Sequence, residues 1–181
     1  MVSKPHPGGE PLMEKVELYL KSRDILERLK AIEMLRELGD KQRLISLLYS
    51  ESWHTREKAA EALATFGDAV KDDILPLLDE GYWFVRAAAA YILGEIGDVR
   101  AVPKLLERLQ ERNESVKGEA AKALAKILRD HPEVQTEIES DLRLLMENIL
   151  KDLKEFDLLE GIRKARVHGD VKKNSLLSSS D

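Results

Sequence analysis

The chain has 181 residues, of which 43% are apolar and 35% charged, with a net charge of −5 and no cysteine. That apolar share supports a packed core and excludes an intrinsically disordered chain; the missing cysteines exclude disulfides, thiolate nucleophiles and Cys-based metal sites. The acidic balance argues against a general nucleic-acid binder, and no run approaches the ~18 apolar residues needed to span a bilayer.

Residues 1–10 (MVSKPHPGGE) read as a flexible leader, with three prolines in the first eleven positions and no apolar run of the signal-peptide kind. A cytoplasmic location is the expectation, and the richness in Lys, Arg and Glu fits a heat-adapted protein. From there the pattern is helical. Leu12–Ser22, with Leu12, Val16 and Leu20 on one face, is predicted to be the first helix and the packing partner of the first repeat.

Three times an Arg is followed eleven residues later by Gly-Asp: Arg28 to Gly39-Asp40, Arg56 to Gly67-Asp68, and Arg86 to Gly97-Asp98. A degraded fourth copy starts at Lys117, and the starts lie 28, 30 and 31 residues apart. Self-similarity at this period marks stacked repeats. Each repeat holds two amphipathic segments, best seen in residues 83–111. WFVRAAAAYILGEIGD is predicted as the first helix with its stop, Gly97 ending it in a left-handed cap. Asp98 is predicted to N-cap the second, VRAVPKLLERL. The copies agree in register. Leu48, Leu78 and Leu109 lie eight residues before the next start; Ala60, Ala90 and Ala121 lie four after it; Leu63, Leu93 and Leu124 lie seven after it. Ala in one row lets helices approach, and Leu in the next fills the groove between them.

The fourth copy has Leu128-Arg129 where Gly-Asp would stand, then Asp130-His131-Pro132 as a breaker. Residues 133–160 carry a stripe of Ile138, Leu142, Leu145, Ile149, Leu153 and Phe156. This reads as a capping helix over the last repeat or, alternatively, as a dimerising coiled coil that would make a homodimer. Residues 161–181 form a tail with a basic cluster, Arg163-Lys164-Ala165-Arg166 and Lys172-Lys173.

The run VRAAAAYILGEIGDVRAVPKLLERL at residues 85–109 resembles the HEAT-like repeats, in particular the short repeats also found in phycobilin lyases. The resemblance covers about residues 24–130 and implies an all-α, right-handed α-α superhelix of about four HEAT-like helix pairs with terminal capping helices. The repeat domain would then span residues 11–160. In that family the Arg pairs with an acid of the preceding loop. Glu80 and Glu111 stand six residues before Arg86 and Lys117, whereas Ser50 holds that place before Arg56, so the ladder is incomplete. Pro103 matches the family's Pro, while Pro76 sits elsewhere in its helix and predicts a kink or a late start there.

Catalytic signals are missing. His6, His54, His131 and His168 are followed by Pro, Thr, Pro and Gly, so the His-Glu pairs of HEAT-like di-iron hydroxylases are not present. No HExxH, GxSxG or phosphate-cradling glycine loop occurs, and no cofactor or metal site is expected. The resemblance implies a surface instead, with the Arg-led helices lining a concave face. Five after each start stand Glu33, Glu61, Tyr91 and Lys122; two after, Lys30, Lys58, Ala88 and Glu119; one after, Leu29, Glu57, Ala87 and Gly118. Charges alternate, which is not the basic stripe that tracks phosphates. The third repeat departs with Ala87, Ala88 and Tyr91, a less polar spot that reads either as an interaction site or as plain helix-forming alanine.

Trp53 and Trp83 both lie three residues before their repeat's Arg, next to His54 and Phe84, and are expected on one rim. They either plug the loops between paired helices or form an interaction site, and indole exposure separates the two. The functional expectation is a non-enzymatic adaptor for a protein partner. The alternatives, each by resemblance, are a lyase or chaperone with an apolar groove and a nucleic-acid binder with a basic one.

Overall fold

The computed structural model describes residues 10–135, and within them every regular element is helical. The fold is an all-α repeat fold, and the chain divides after Val70 into two compact units. In the first unit, α1 (Glu10–Leu20) packs on α2 (Ile25–Glu37), and α3 (Lys41–Leu47) leads to α4 (Trp53–Ala64), followed by a 3-10 turn at Gly67–Val70. The second unit opens with the short α5 (Lys71–Ile74) and a 3-10 turn at Leu75–Asp79. It continues through α6 (Trp83–Ile96), a 3-10 turn at Val99–Ala101, α7 (Val102–Arg108), α8 (Glu114–Asp130) and α9 (Pro132–Gln135).

The register of the repeats is the register of the core. Leu48, Leu78 and Leu109, Ala60, Ala90 and Ala121, and Leu63, Leu93 and Leu124 are all buried, together with Val16 on α1. Gly39, Gly67 and Gly97 all adopt positive φ, at 70, 57 and 75°. Gly97 shows why glycine stands there. It occupies the left-handed cap of α6 and donates its N–H to Leu93 O at 3.0 Å, a conformation that costs a side-chain-bearing residue about 1 kcal/mol. Gly97→Val is therefore expected to destabilise the protein by more than ~1 kcal/mol in urea unfolding, the β-branched side chain being worst suited to positive φ. The fourth copy, without its glycine, runs on: α8 reaches Asp130 and stops at His131, where Pro132 follows.

Three expectations need correction. Asp98 does cap, its carboxylate accepting from Arg100 N–H at 3.1 Å, but what it starts is a 3-10 turn, with α7 beginning at Val102 ahead of Pro103. The second repeat has no single second helix; Gly67–Asp79 is broken into 3-10, α and 3-10 pieces, with Pro76 inside the last of them, where it cannot donate to an α-helical ladder. Gly118 is buried rather than outward, so the positions one residue after each start do not form a uniform surface row.

In the second unit α6 and α8 approach closely. A Cβ on Gly94 would lie 2.6 Å from Ala123 Cα and 2.7 Å from Ala123 Cβ. Both helices also bury alanines, Ala89 and Ala90 on α6 and Ala120 and Ala121 on α8. The expected capping or dimerising stripe from Ile138 to Phe156, the basic cluster from Arg163 and the leader up to Gly9 lie outside the described residues.

Candidate functional site

The repeated arginines are structural staples. Arg28 Nη1 donates to Ser22 O at 2.6 Å, Arg56 Nη1 to Ser50 O at 2.7 Å and Arg86 Nη1 to Glu80 O at 2.7 Å. Each bond goes to the backbone carbonyl six residues earlier, so the side chain at that place is not what the Arg reads. The expected pairing with an acid of the preceding loop is thus corrected: the acid that holds Arg86 is Glu111, in the loop before α8. Arg86 Nε and Nη2 donate to its two carboxylate oxygens at 2.7 and 2.8 Å, a bidentate fork with both side chains 16% exposed. Arg108 adds a bond to Glu111 at 3.1 Å, and Asp79 joins Lys104 to Arg108. The Arg86 guanidinium holds the Glu111 carboxyl below the usual carboxylate range. Lys117, which starts the fourth copy, pairs with Glu114 at 2.7 Å.

In the second and fourth copies the charged rows pair within one helix, and in the first Glu33 pairs instead with Arg36. Lys58 bonds Glu61 at 2.8 Å, and Lys122 bonds Glu119 at 3.3 Å, each joining the second and fifth positions after the start. In the third repeat those positions are Ala88 and Tyr91. Ala87, Ala88 and Tyr91 are half-buried, and Lys126 of α8 stands over the Tyr91 ring at 5.8 Å while also pairing with Glu95. Tyr91 is therefore an aromatic already engaged by its neighbour helix.

Trp53 and Trp83 begin α4 and α6, and they are 55% and 43% exposed. An indole plugging a loop would be buried, so the plug reading does not describe them. His54 tilts against Trp53 with ring centroids 3.8 Å apart. Around Trp83 a cluster forms: Tyr82 stacks on Phe84 at 5.3 Å, and Trp83 meets Phe84 edge-on at 5.8 Å. Phe84 is half-buried and anchors the group, while Tyr82 is 57% exposed.

Tyr82 is the residue the sequence expectations passed over. It stands four before Arg86, and the equivalent places hold Asp24, Ser52 and Asn113. Those three are N-caps, accepting from Leu26, Thr55 and Val116 N–H at 2.9, 3.4 and 3.2 Å. Tyr82 has the same extended backbone and no side-chain cap bond. The register would have shown this, since three cap formers and one aromatic in one column is a visible departure. Tyr82→Asp is expected to raise stability by roughly 0.5–1 kcal/mol in urea unfolding, the cap gain exceeding the lost stacking on Phe84.

Among the described residues no helix is long and apolar enough to cross a membrane, and no group of three or more His, Cys, Asp or Glu gathers to hold a metal ion.

Residues 72–155 match the HEAT repeats family. The chain is a HEAT-like repeat protein. It matches no curated protein. Among solved structures this HEAT-like protein is similar to an engineered protein at 22% identity, with 81% of this chain and 80% of that one covered and a TM-score of 0.44. It is also similar to the complex of CpcE and CpcF of phycocyanin lyase from Nostoc sp. PCC7120, at 19% identity, 94% and 70% coverage and a TM-score of 0.48. A second engineered protein is similar at 21% identity and a TM-score of 0.44, over 95% of this chain and 55% of that one.

Proposed function

We propose that this HEAT-like protein is a non-enzymatic adaptor that binds a protein partner through the aromatics at the starts of its Arg-led helices, Trp53 with His54 and Trp83 with Tyr82 and Phe84. The observation that carries the reading is Tyr82. At a position where the other three repeats hold a cap former, the third repeat holds an exposed aromatic and forgoes a cap worth about 1 kcal/mol. Stability forgone at an exposed position is what a binding residue costs its host. Exposed Trp and Tyr are also the side chains that dominate interface energetics, because they bring large area with few rotatable bonds. The repeat fold supports this use, since each arginine staple fixes the start of its own helix within its unit and so lowers the ordering cost of binding there. The spot of Ala87, Ala88 and Tyr91 takes a secondary part, being half-buried and bridged to α8.

The test compares partners recovered from native extract by the wild type and by a Trp53→Ala/Tyr82→Ala/Trp83→Ala variant, with Tyr91→Ala as a separate arm. The expected result is loss of at least one specific partner with the triple variant and retention with Tyr91→Ala. Equal recovery by all three proteins would sink the reading.

A further inference from the structure

We propose that the cluster at the start of α6, with Arg112 beside it, is a docking site for a peptide segment that carries an acidic side chain next to a bulky apolar one. The inference rests on the adaptor reading and adds the chemistry of the partner.

The bidentate bridge between Arg86 and Glu111 ties the loop before α8 to the first turns of α6. Trp83 stands three residues before Arg86, hence on the same face of the helix one turn earlier. Arg112 directly follows Glu111. The same guanidinium holds the carbonyls of Glu80 and Gly81, so the bridge brings the loop that carries Arg112 up to the loop that leads into Tyr82 and Trp83.

The charges on this edge are committed, with one exception. Arg86 and Arg108 are held by Glu111, and Lys104 by Asp79. Glu114 is taken by Lys117, and Glu80 accepts from Gly81 N–H at 2.8 Å. Arg112 is exposed and makes no hydrogen bond or ion pair with any described residue. An uncommitted guanidinium beside exposed Trp and Tyr is the residue set that anchors interfaces, and its complement is a carboxylate flanked by apolar surface. The guanidinium takes the carboxylate through paired N–H donors, and the Tyr82 and Trp83 rings take the apolar side chain. Lys at this position would supply the charge without the fork.

The test uses the full chain and a random 12-residue peptide library displayed on phage, then titration of end-blocked synthetic copies of the selected peptides. A fluorescein on each synthetic peptide reports binding by anisotropy, so the protein keeps both of its tryptophans and every variant is read the same way. Selected peptides are expected to hold Asp or Glu within two positions of Trp, Phe or Leu. Their affinity should fall about tenfold or more with Arg112→Glu and with Tyr82→Ser/Trp83→Ser, and should weaken as salt rises. Arg112→Glu used as bait should shift the selection toward Lys and Arg. Circular dichroism checks each variant's helicity, which these exposed positions should leave unchanged. Peptides that need Trp83 but show no acidic preference would overturn this inference and leave the adaptor reading standing. Binding indifferent to both substitutions, or no selection at all, would overturn both. Self-association of the chain that Trp83→Ser abolishes would replace the peptide with a second copy as the occupant.

Discussion

Gly94→Ala is expected to lower stability by about 1–3 kcal/mol, against the usual direction for a helical glycine. In an exposed helix interior the same change gains about 1 kcal/mol, because alanine loses less backbone entropy on folding. Here the added Cβ would sit 2.6 Å from Ala123 Cα. That neighbour is backbone in the middle of α8 and cannot swing aside, so α6 and α8 must separate and every buried side chain along the seam loses contact. The overpacking cost exceeds the propensity gain. Urea unfolding monitored by circular dichroism measures the difference, and Gly94→Ala/Ala123→Gly supplies the control. Removing Ala123 Cβ relieves the 2.7 Å contact but leaves the Cα in place, so part of the loss should return and part should remain. A neutral or stabilising Gly94→Ala would mean that the two helices do not approach this closely.

Arg86→Ala is expected to cost about 2–4 kcal/mol. One guanidinium satisfies the carbonyls of Glu80 and Gly81 and both oxygens of Glu111. Its removal leaves a largely buried carboxylate with Arg108 alone for company, and an abandoned partner costs more than the pair contributed. Arg86→Lys should recover only a fraction, since an ammonium cannot make the fork. The bridge also sets a pH dependence. Glu111 has a folded pKa below its unfolded value of about 4.3, so its contribution is complete above that pH and is lost as pH falls through the folded value. Asp98 acts in the same direction. Burial would raise its carboxyl, but bonds from the Arg100 side chain and backbone outweigh it and hold it low. Stability measured from pH 6 down to pH 2 should fall more steeply for wild type than for Glu111→Gln, which has no charge to lose.

The core was legible in the sequence because burial tracks the repeat. Leucines and alanines at fixed offsets from the arginines had one geometry available, and the Gly-Asp pairs marked helix ends that only positive φ could make. The partner of Arg86 was not legible. Six residues back and twenty-five forward both offer a glutamate, Glu80 and Glu111, and only the stacking of one helix on the next decides between them. Gly94 was silent for a similar reason: a glycine inside a strong helix says that something comes close, but not from where. Of the aromatic cluster, Trp83 and Phe84 were found by their place before Arg86 in the repeat, whereas Tyr82 needed the column comparison with Asp24, Ser52 and Asn113. Exposure of the indoles depended on how the helix starts project, which spacing alone does not fix.

The staples carry a consequence for how such a protein can change. Arg28, Arg56 and Arg86 each grip a main-chain oxygen, and every residue type supplies one. The residue whose carbonyl is gripped can therefore change its side chain without loosening the staple, as Ser22, Ser50 and Glu80 already illustrate. Recognition and support are separately editable. A library confined to positions 80–83, 110 and 112, with Phe84, Arg86, Glu111 and the Asn113 cap kept, should yield new binding specificities on an unaltered frame.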